Sequence, residues 1–187
     1  IRYALTAIKS IGRPVIDAVV EERSERGPYT NLKDFITRMA DKEVNKKAIE
    51  NFIKAGAFDS LPGTRKQFMS AYVQIMDSIV HDKKNNMAGQ MSLFDIVDEE
   101  EKDAYDVKLP DVGEYSKEMM LSFEKEVLGI YVSGHPLEEW EALWKKGITN
   151  TTADFMLDDE NGEPAVRDNA SVVVGGMIAD KRIKYTK

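Results

Sequence analysis

Lys9-Ser10-Ile11-Gly12-Arg13-Pro14-Val15-Ile16 is the stretch on which the fold of this chain turns. Before it, Tyr3, Leu5 and Ile8 supply apolar side chains; after it, Val15, Ile16, Val19 and Val20 recur at helical spacing up to Arg23. Pro14 suits the first turn of a helix, where its missing N–H is no loss. Gly12 is free to take the backbone angles a short connection demands. The spacing therefore predicts helix, tight turn, helix. Such a hairpin points the free N–H groups of a helix N-terminus outward, and these bind phosphate without regard to base sequence. Lys9 and Arg13 flank the turn and can add charge-assisted contacts. The alternative is a purely structural helical hairpin.

Outward from the turn, the chain reads as more helices. Arg26-Gly27-Pro28-Tyr29 is a turn. Asn31 caps the next helix with Asp34 three residues on, and Leu32, Phe35, Ile36 and Met39 form its apolar face. Asn45 caps another, with Ala48, Ile49, Phe52 and Ile53 inside and Gly56 at its end. Thr64 opens a longer helix to about Val80, with Phe68, Tyr72, Ile75 and Ile79 inside. Lys46 to Phe68 thus reads as a second, degenerate hairpin, and Lys46, Lys47, Arg65 and Lys66 are candidates for phosphate contact there. The alternative for each is a solvated surface charge. Ser116 caps a helix through Leu128, with Met119, Met120, Phe123 and Val127 as the expected buried face. Gly129 stops it, and a short helix carrying Trp140, Leu143 and Trp144 follows. From Asn150 the character changes: an acidic turn-rich loop at Asp158–Gly162, then Ser171-Val172-Val173-Val174 as a strand, with Gly175-Gly176 a bulge or kink.

One segment does not fit a folded domain. His81 to Asn86 is polar and Asp98 to Asp103 is mostly acidic, so the apolar surface is too small to offset the entropy of ordering, and mobility is expected. Within it lies Gln90-Met91-Ser92-Leu93-Phe94, preceded by Gly89. An apolar knot on a polar tether suits docking into a partner's groove, with the Gln90 amide fixing the register. The alternative is that it packs back on its own domain.

The 187 residues carry a net charge of −7, unevenly spread. Residues 1–90 hold 15 Lys and Arg against 11 Asp and Glu; residues 91–187 hold 11 against 22. A nucleic acid would meet the first half. Cysteine is absent, which excludes disulfide and thiolate chemistry and fits a reducing cytosol. No run approaches the roughly 18 apolar residues of a membrane span. The chain begins Ile-Arg-Tyr, without a signal peptide's pattern, and is expected to be a piece of a longer protein.

Lys9 to Arg13 resembles the helix-hairpin-helix DNA-binding turn, usually Gly-hydrophobic-Gly, with Ser10 standing in the place of the first glycine. Gln90 to Phe94 resembles the peptide that bacterial polymerases insert into their sliding clamp. Ile1–Ile11, Asn51–Leu61, Gly89–Asp95 and, most specifically, Phe123–Leu137 are similar in order and spacing to the bacterial DNA polymerase III alpha subunit after its fingers. The resemblance covers essentially the whole chain. It implies a mainly α protein with tandem helix-hairpin-helix DNA-binding elements over 1–80. A mobile linker over 81–110 would hold the clamp-binding peptide 90–94. A helical connector over 111–150 and the first strands of a truncated OB-fold over 151–187 would follow. It implies cytoplasmic replication, with the sliding clamp (beta subunit), double-stranded DNA and the rest of the polymerase chain as partners. The rival class is a structural adaptor between fingers and OB-fold.

Polymerase chemistry needs carboxylates converging on two metal ions. Here Asp98–Glu101 and Asp158–Glu160 sit in expected loops without convergent partners. His81 and His135 are far apart with no further Cys or His at ligand spacing. No catalytic residue, metal site or cofactor is therefore expected in this segment. The parent would be a nucleotidyltransferase; this piece would not polymerise.

Overall fold

The computed structural model describes residues 5–42, 44–87, 108–157, 162–178 and 181–184, and the side chains at 82 and 84–87 are not among them. Of the expected linker over 81–110, residues 88–107, with the peptide at Gln90–Phe94, lie outside the described residues, as does the acidic loop at 158–161. The two ends of that linker are corrected: residues 81–87 continue the helix Arg65–Met87, and Pro110 O accepts from Gln67 Nε2 at 3.0 Å. Six α-helices are described: α1 Arg13–Arg26, α2 Leu32–Met39, α3 Lys46–Lys54, α4 Arg65–Met87, α5 Lys117–Leu128 and α6 Glu141–Gly147. The chain divides into two compact units, Ile1–Ser133 and Gly134–Lys187. Among the described residues no helix is long and apolar enough to cross a membrane.

The first unit is built on an apolar core to which α1–α5 all contribute, with Phe52, Phe68, Leu32, Met39, Ile49, Ile53 and Ile75 almost completely enclosed. An edge-to-face aromatic chain runs through it: Tyr29 to Phe35 at 4.8 Å, Phe35 to Phe58 at 4.8 Å, and Phe58 to Phe68 at 6.4 Å between centroids. Such pairs add to what burial alone contributes. The helices begin where their caps place them. Asn31 Oδ1 accepts from Asp34 N at 2.8 Å, and Asn45 Oδ1 accepts from Ala48 N at 2.9 Å. Thr64 and Gln67 exchange a reciprocal pair at the start of α4, N–H to Oε1 at 2.9 Å and N–H to Oγ1 at 3.2 Å, a capping box. Gly56 closes α3 in the left-handed region, φ +74°.

That glycine is held by more than its dihedral. A Cβ there would fall on the Arg65 guanidinium and 2.7 Å from Asp59 Oδ2. Gly56→Ala is therefore expected to lose at least about 1–2 kcal/mol, the left-handed penalty alone for an L-residue, read as a lower urea midpoint at unchanged m-value.

Three further expectations are corrected in this unit. The segment before the first turn is a single 3₁₀ turn at Leu5–Ala7 in its described part, not an α-helix. Gly12 has ordinary extended angles, φ −71° and ψ 148°, and the left-handed residue is Ser10 at φ +63°. In α5 the buried face is Leu121, Glu124 and Val127, while Met119 is 46% exposed. The helix is rotated toward a buried carboxylate that apolar periodicity does not detect.

The second unit carries a 3₁₀ turn at Glu138–Trp140, α6, and a 3₁₀ turn at Thr152–Phe155 with a Thr151–Asp154 capping box. The strand expected at Ser171–Val174 is not formed among the described residues. Val173 instead accepts from Thr149 N at 2.9 Å and donates its N–H to Thr149 Oγ1 at 2.9 Å. One isolated antiparallel bridge, Leu157 with Pro164, is described. A β-prone run without a partner strand has no ladder to join.

Candidate nucleic-acid interface

The turn at Lys9–Arg13 is fastened to the helices behind it. Lys9 N donates to Val127 O at 2.8 Å, and Lys9 Nζ donates to Glu126 O at 2.9 Å. Both acceptors belong to the last turn of α5, whose carbonyls have no partners within their own helix. A cation there also complements the negative end of the helix dipole. On its other side, Lys9 O accepts from Asn51 Nδ2 of α3 at 2.9 Å. Ser10 then takes its left-handed turn, Ile11 packs partly buried against the core, and Gly12 caps α1. Val15 N donates to Gly12 O at 3.1 Å, and Pro14 has no N–H. Among the described residues nothing accepts from the Gly12 or Arg13 N–H. Arg13 is 84% exposed, with a long 3.9 Å ion pair to Asp17. The positive end of α1 therefore faces outward beside an exposed guanidinium.

The far end of α1 is equally fixed. Arg38 of α2 reaches Glu22 Oε1 at 3.1 Å, Glu22 O at 2.8 Å and Gly27 O at 3.1 Å, and lies 4.3 Å over the Tyr29 ring. The direction of α1, and with it that of its N-terminus, is set at both ends.

The second hairpin is different. Its helix N-terminus, at α4, is already filled: Glu114 accepts from Arg65 N at 2.9 Å and from Lys66 N at 3.2 Å. An internal carboxylate sits where a phosphate would. Lys46 pairs with Asp77 at 2.7 Å and Lys47 with Glu50 at 3.0 Å, both lysines half exposed. Exposed pairs of this kind contribute about 0–1 kcal/mol, so either lysine can exchange its partner for a phosphate.

Arg65 cannot, and its candidacy is withdrawn. Its side chain is buried, forked onto Asp59 at 2.8 and 2.6 Å and onto Glu124 Oε1 at 3.1 Å from each terminal nitrogen. Glu124 is 0% exposed, and its other oxygen accepts from Val132 N at 2.7 Å and Ser133 N at 2.9 Å. Burial works against the charge of Glu124. The Ser133 and Val132 N–H groups and Arg65 outweigh it, and the carboxyl is held below its ordinary range. For Arg65 burial likewise opposes the charge, and Asp59 and then Glu124 more than restore it. This four-way junction joins the loop after α3, the start of α4, α5 and residues 132–133. It was not singled out from sequence. A glutamate three residues from Leu121 and three from Val127 was its one signal.

Comparison with known proteins places these elements. The helix-hairpin-helix motif family matches residues 1–68. The DNA polymerase III subunit alpha of Borreliella burgdorferi is 35% identical over 187 residues, all of this chain and 16% of that protein. That of Chlamydia pneumoniae is 40% identical over 139 residues, 74% of this chain and 11% of that protein. That of Mycobacterium tuberculosis is 34% identical over 190 aligned residues, again all of this chain and 16% of that protein. The chain thus spans about a sixth or less of the length of these relatives.

Proposed function

This chain belongs to the DNA polymerase III alpha-subunit family as one segment of it, and from that premise we propose that its first unit holds duplex DNA for the polymerase through phosphate contacts at the Lys9–Arg13 turn. The observation that carries the reading is the open N-terminus of α1, fixed at both ends of its helix and flanked by exposed Arg13, within a helix-hairpin-helix match. Ser10, Ile11 and Gly12 shape the turn, Arg13 adds charge, and Lys9 serves mainly as the strut to α5. Lys46 and Lys47 would supply secondary phosphate contacts.

The rest of the proposal follows the family. Gln90, Met91, Ser92, Leu93 and Phe94 dock on the sliding clamp from the part of the expected linker that follows α4. Residues 111–150 connect helically, and 151–187 begin an OB-fold whose remaining strands belong to the longer polymerase. The longer protein would be a cytoplasmic nucleotidyltransferase; this segment contributes holding and not chemistry, with no cofactor of its own. A second reading, a structural adaptor, draws support from one observation: Lys9, Lys46, Lys47 and Arg65 all have internal partners.

Duplex titration separates them. Arg13→Glu is expected to weaken binding of unrelated duplexes alike and to reduce the slope of log K against log salt by about 1. Wild-type binding that ignores salt, or an unchanged slope in the variant, favours the adaptor.

A further inference from the structure

Asn51 sits at 3% exposure on the face of α3 that otherwise buries Ala48, Ile49, Phe52 and Ile53. An amide in an apolar core is costly unless both ends are hydrogen-bonded. This one is half satisfied. Nδ2 donates to Lys9 O at 2.9 Å, 42 residues away, and Oδ1 has no hydrogen-bond partner. For stability alone, an apolar side chain of the same volume would remove the unpaired Oδ1 at the cost of the bond to Lys9 O, with little net gain either way. What the bond adds is the orientation of the Lys9 carbonyl.

We infer that Asn51 is a positioning residue for the phosphate-binding turn, acting through Lys9 to aim the N–H groups at the start of α1. The inference rests on the DNA-holding reading above. Lys9 is the last residue before the left-handed Ser10, and three bonds hold it: its N–H and its ammonium on α5, its carbonyl on Asn51. The two bonds to α5 fix where Lys9 lies. The bond to Asn51 fixes the plane of the Lys9–Ser10 peptide, and so the direction in which the chain leaves toward Gly12 and Arg13. Ser10 is a residue with a Cβ in a region that favours glycine, and it stays there because the surroundings over-determine it. Without the Asn51 bond the peptide plane is free to rotate, and Ser10 relaxes toward a more populated conformation. The Gly12 and Arg13 N–H groups then no longer converge on one phosphate.

The test uses the intact chain and a duplex oligonucleotide. Asn51→Leu removes the donor at nearly constant volume; Asn51→Ala removes it and leaves a void. Ile75→Val, in the core on α4, is the packing control. Both Asn51 variants are expected to lose roughly three- to tenfold in duplex affinity at low salt, about the worth of one phosphate contact. Asn51→Leu should keep its melting temperature and Asn51→Ala should not. Amide resonances of Ser10 to Arg13 should shift in both. Ile75→Val should lower the melting temperature without touching affinity. If Asn51→Leu binds duplex as the wild type does while Arg13→Glu is impaired, the inference is overturned and the interface stands. If affinity follows melting temperature across all three variants, Asn51 is a packing residue and the inference is again overturned. Should Arg13→Glu itself bind normally, the interface reading is what has failed.

Discussion

Glu124→Ala is expected to cost about 3–5 kcal/mol of unfolding free energy, the range for removing one partner of a buried ion pair. Domains are stable by only about 5–15 kcal/mol, so this one change should bring the first unit close to unfolding at 37 °C. The loss has three parts in the structure. Arg65 keeps Asp59 but loses the acceptor facing both its terminal nitrogens, inside a site it cannot leave. The Val132 and Ser133 N–H groups lose their acceptor. The core gains a void beside Leu121 and Val127. Glu124→Gln separates charge from shape, since its amide oxygen can still accept while its NH₂ faces a guanidinium. The sign of the pH effect follows from the direction of the shift. The folded carboxyl is held below the unfolded value of about 4.3. Its stabilisation is therefore complete above that value and lost as pH falls through the depressed folded value. Urea melts at pH 7 and near pH 3 should show the gap between wild type and Glu124→Gln narrowing with acid. Some acid sensitivity will remain in the variant. Glu50 is also held low: burial opposes its charge, and Lys54 and Lys47 prevail. A gap that does not change with pH would mean that Glu124 is not ionised in the folded protein.

What could be read from sequence divides along the range of the interactions. The starts and buried faces of α2 and α3 were legible, because Asn31 with Asp34, and Asn45, are local caps, Gly56 marks the end of α3, and the apolar faces are uninterrupted. Glu124 and Arg65 were not, because each looks like a surface charge until the other arrives from 59 residues away. Met119 was assigned inside on apolar type alone, which gives no sign that a glutamate takes a place on the buried face. The Lys9–Arg13 turn was legible as a turn, and its missing glycine marked where the backbone is left-handed. Ser10 carries the left-handed backbone where the usual motif has glycine, whereas Gly12, the glycine that is present, has no need of its freedom. That Lys9 faces α5 was beyond sequence, since a lysine beside a turn gives no sign of which acceptor it will find. Ser171–Val174 shows the limit of propensity, which names a strand but cannot supply its neighbour.

Replacing Leu93 and Phe94 together with alanine is expected to abolish capture of the chain by the sliding clamp and leave the circular dichroism spectrum and melting temperature unchanged. The size of the effect follows from how little a short tethered peptide has to spare. Burial of a leucine or phenylalanine side chain contributes about 1.5–3 kcal/mol. Losing most of both side chains removes on the order of 3–5 kcal/mol, or roughly 10²- to 10⁴-fold. A docking peptide of this length is expected to bind at about micromolar affinity, and under the proposed clamp docking processivity would come from the effective concentration set by a shared DNA. The variant would therefore bind in the high micromolar range or weaker, beyond recovery in a pull-down. Gln90→Ala should be milder, since it removes hydrogen bonds that fix register and little apolar area. The same double change distinguishes the two fates open to these residues. If they were sealed in their own domain, two large-to-small core substitutions would cost about 2–5 kcal/mol each and the melting temperature would fall steeply. Lost capture with an unmoved melting temperature assigns the peptide to the clamp. A collapsed melting temperature returns it to this chain's interior, and capture that survives intact moves the clamp contact to other residues.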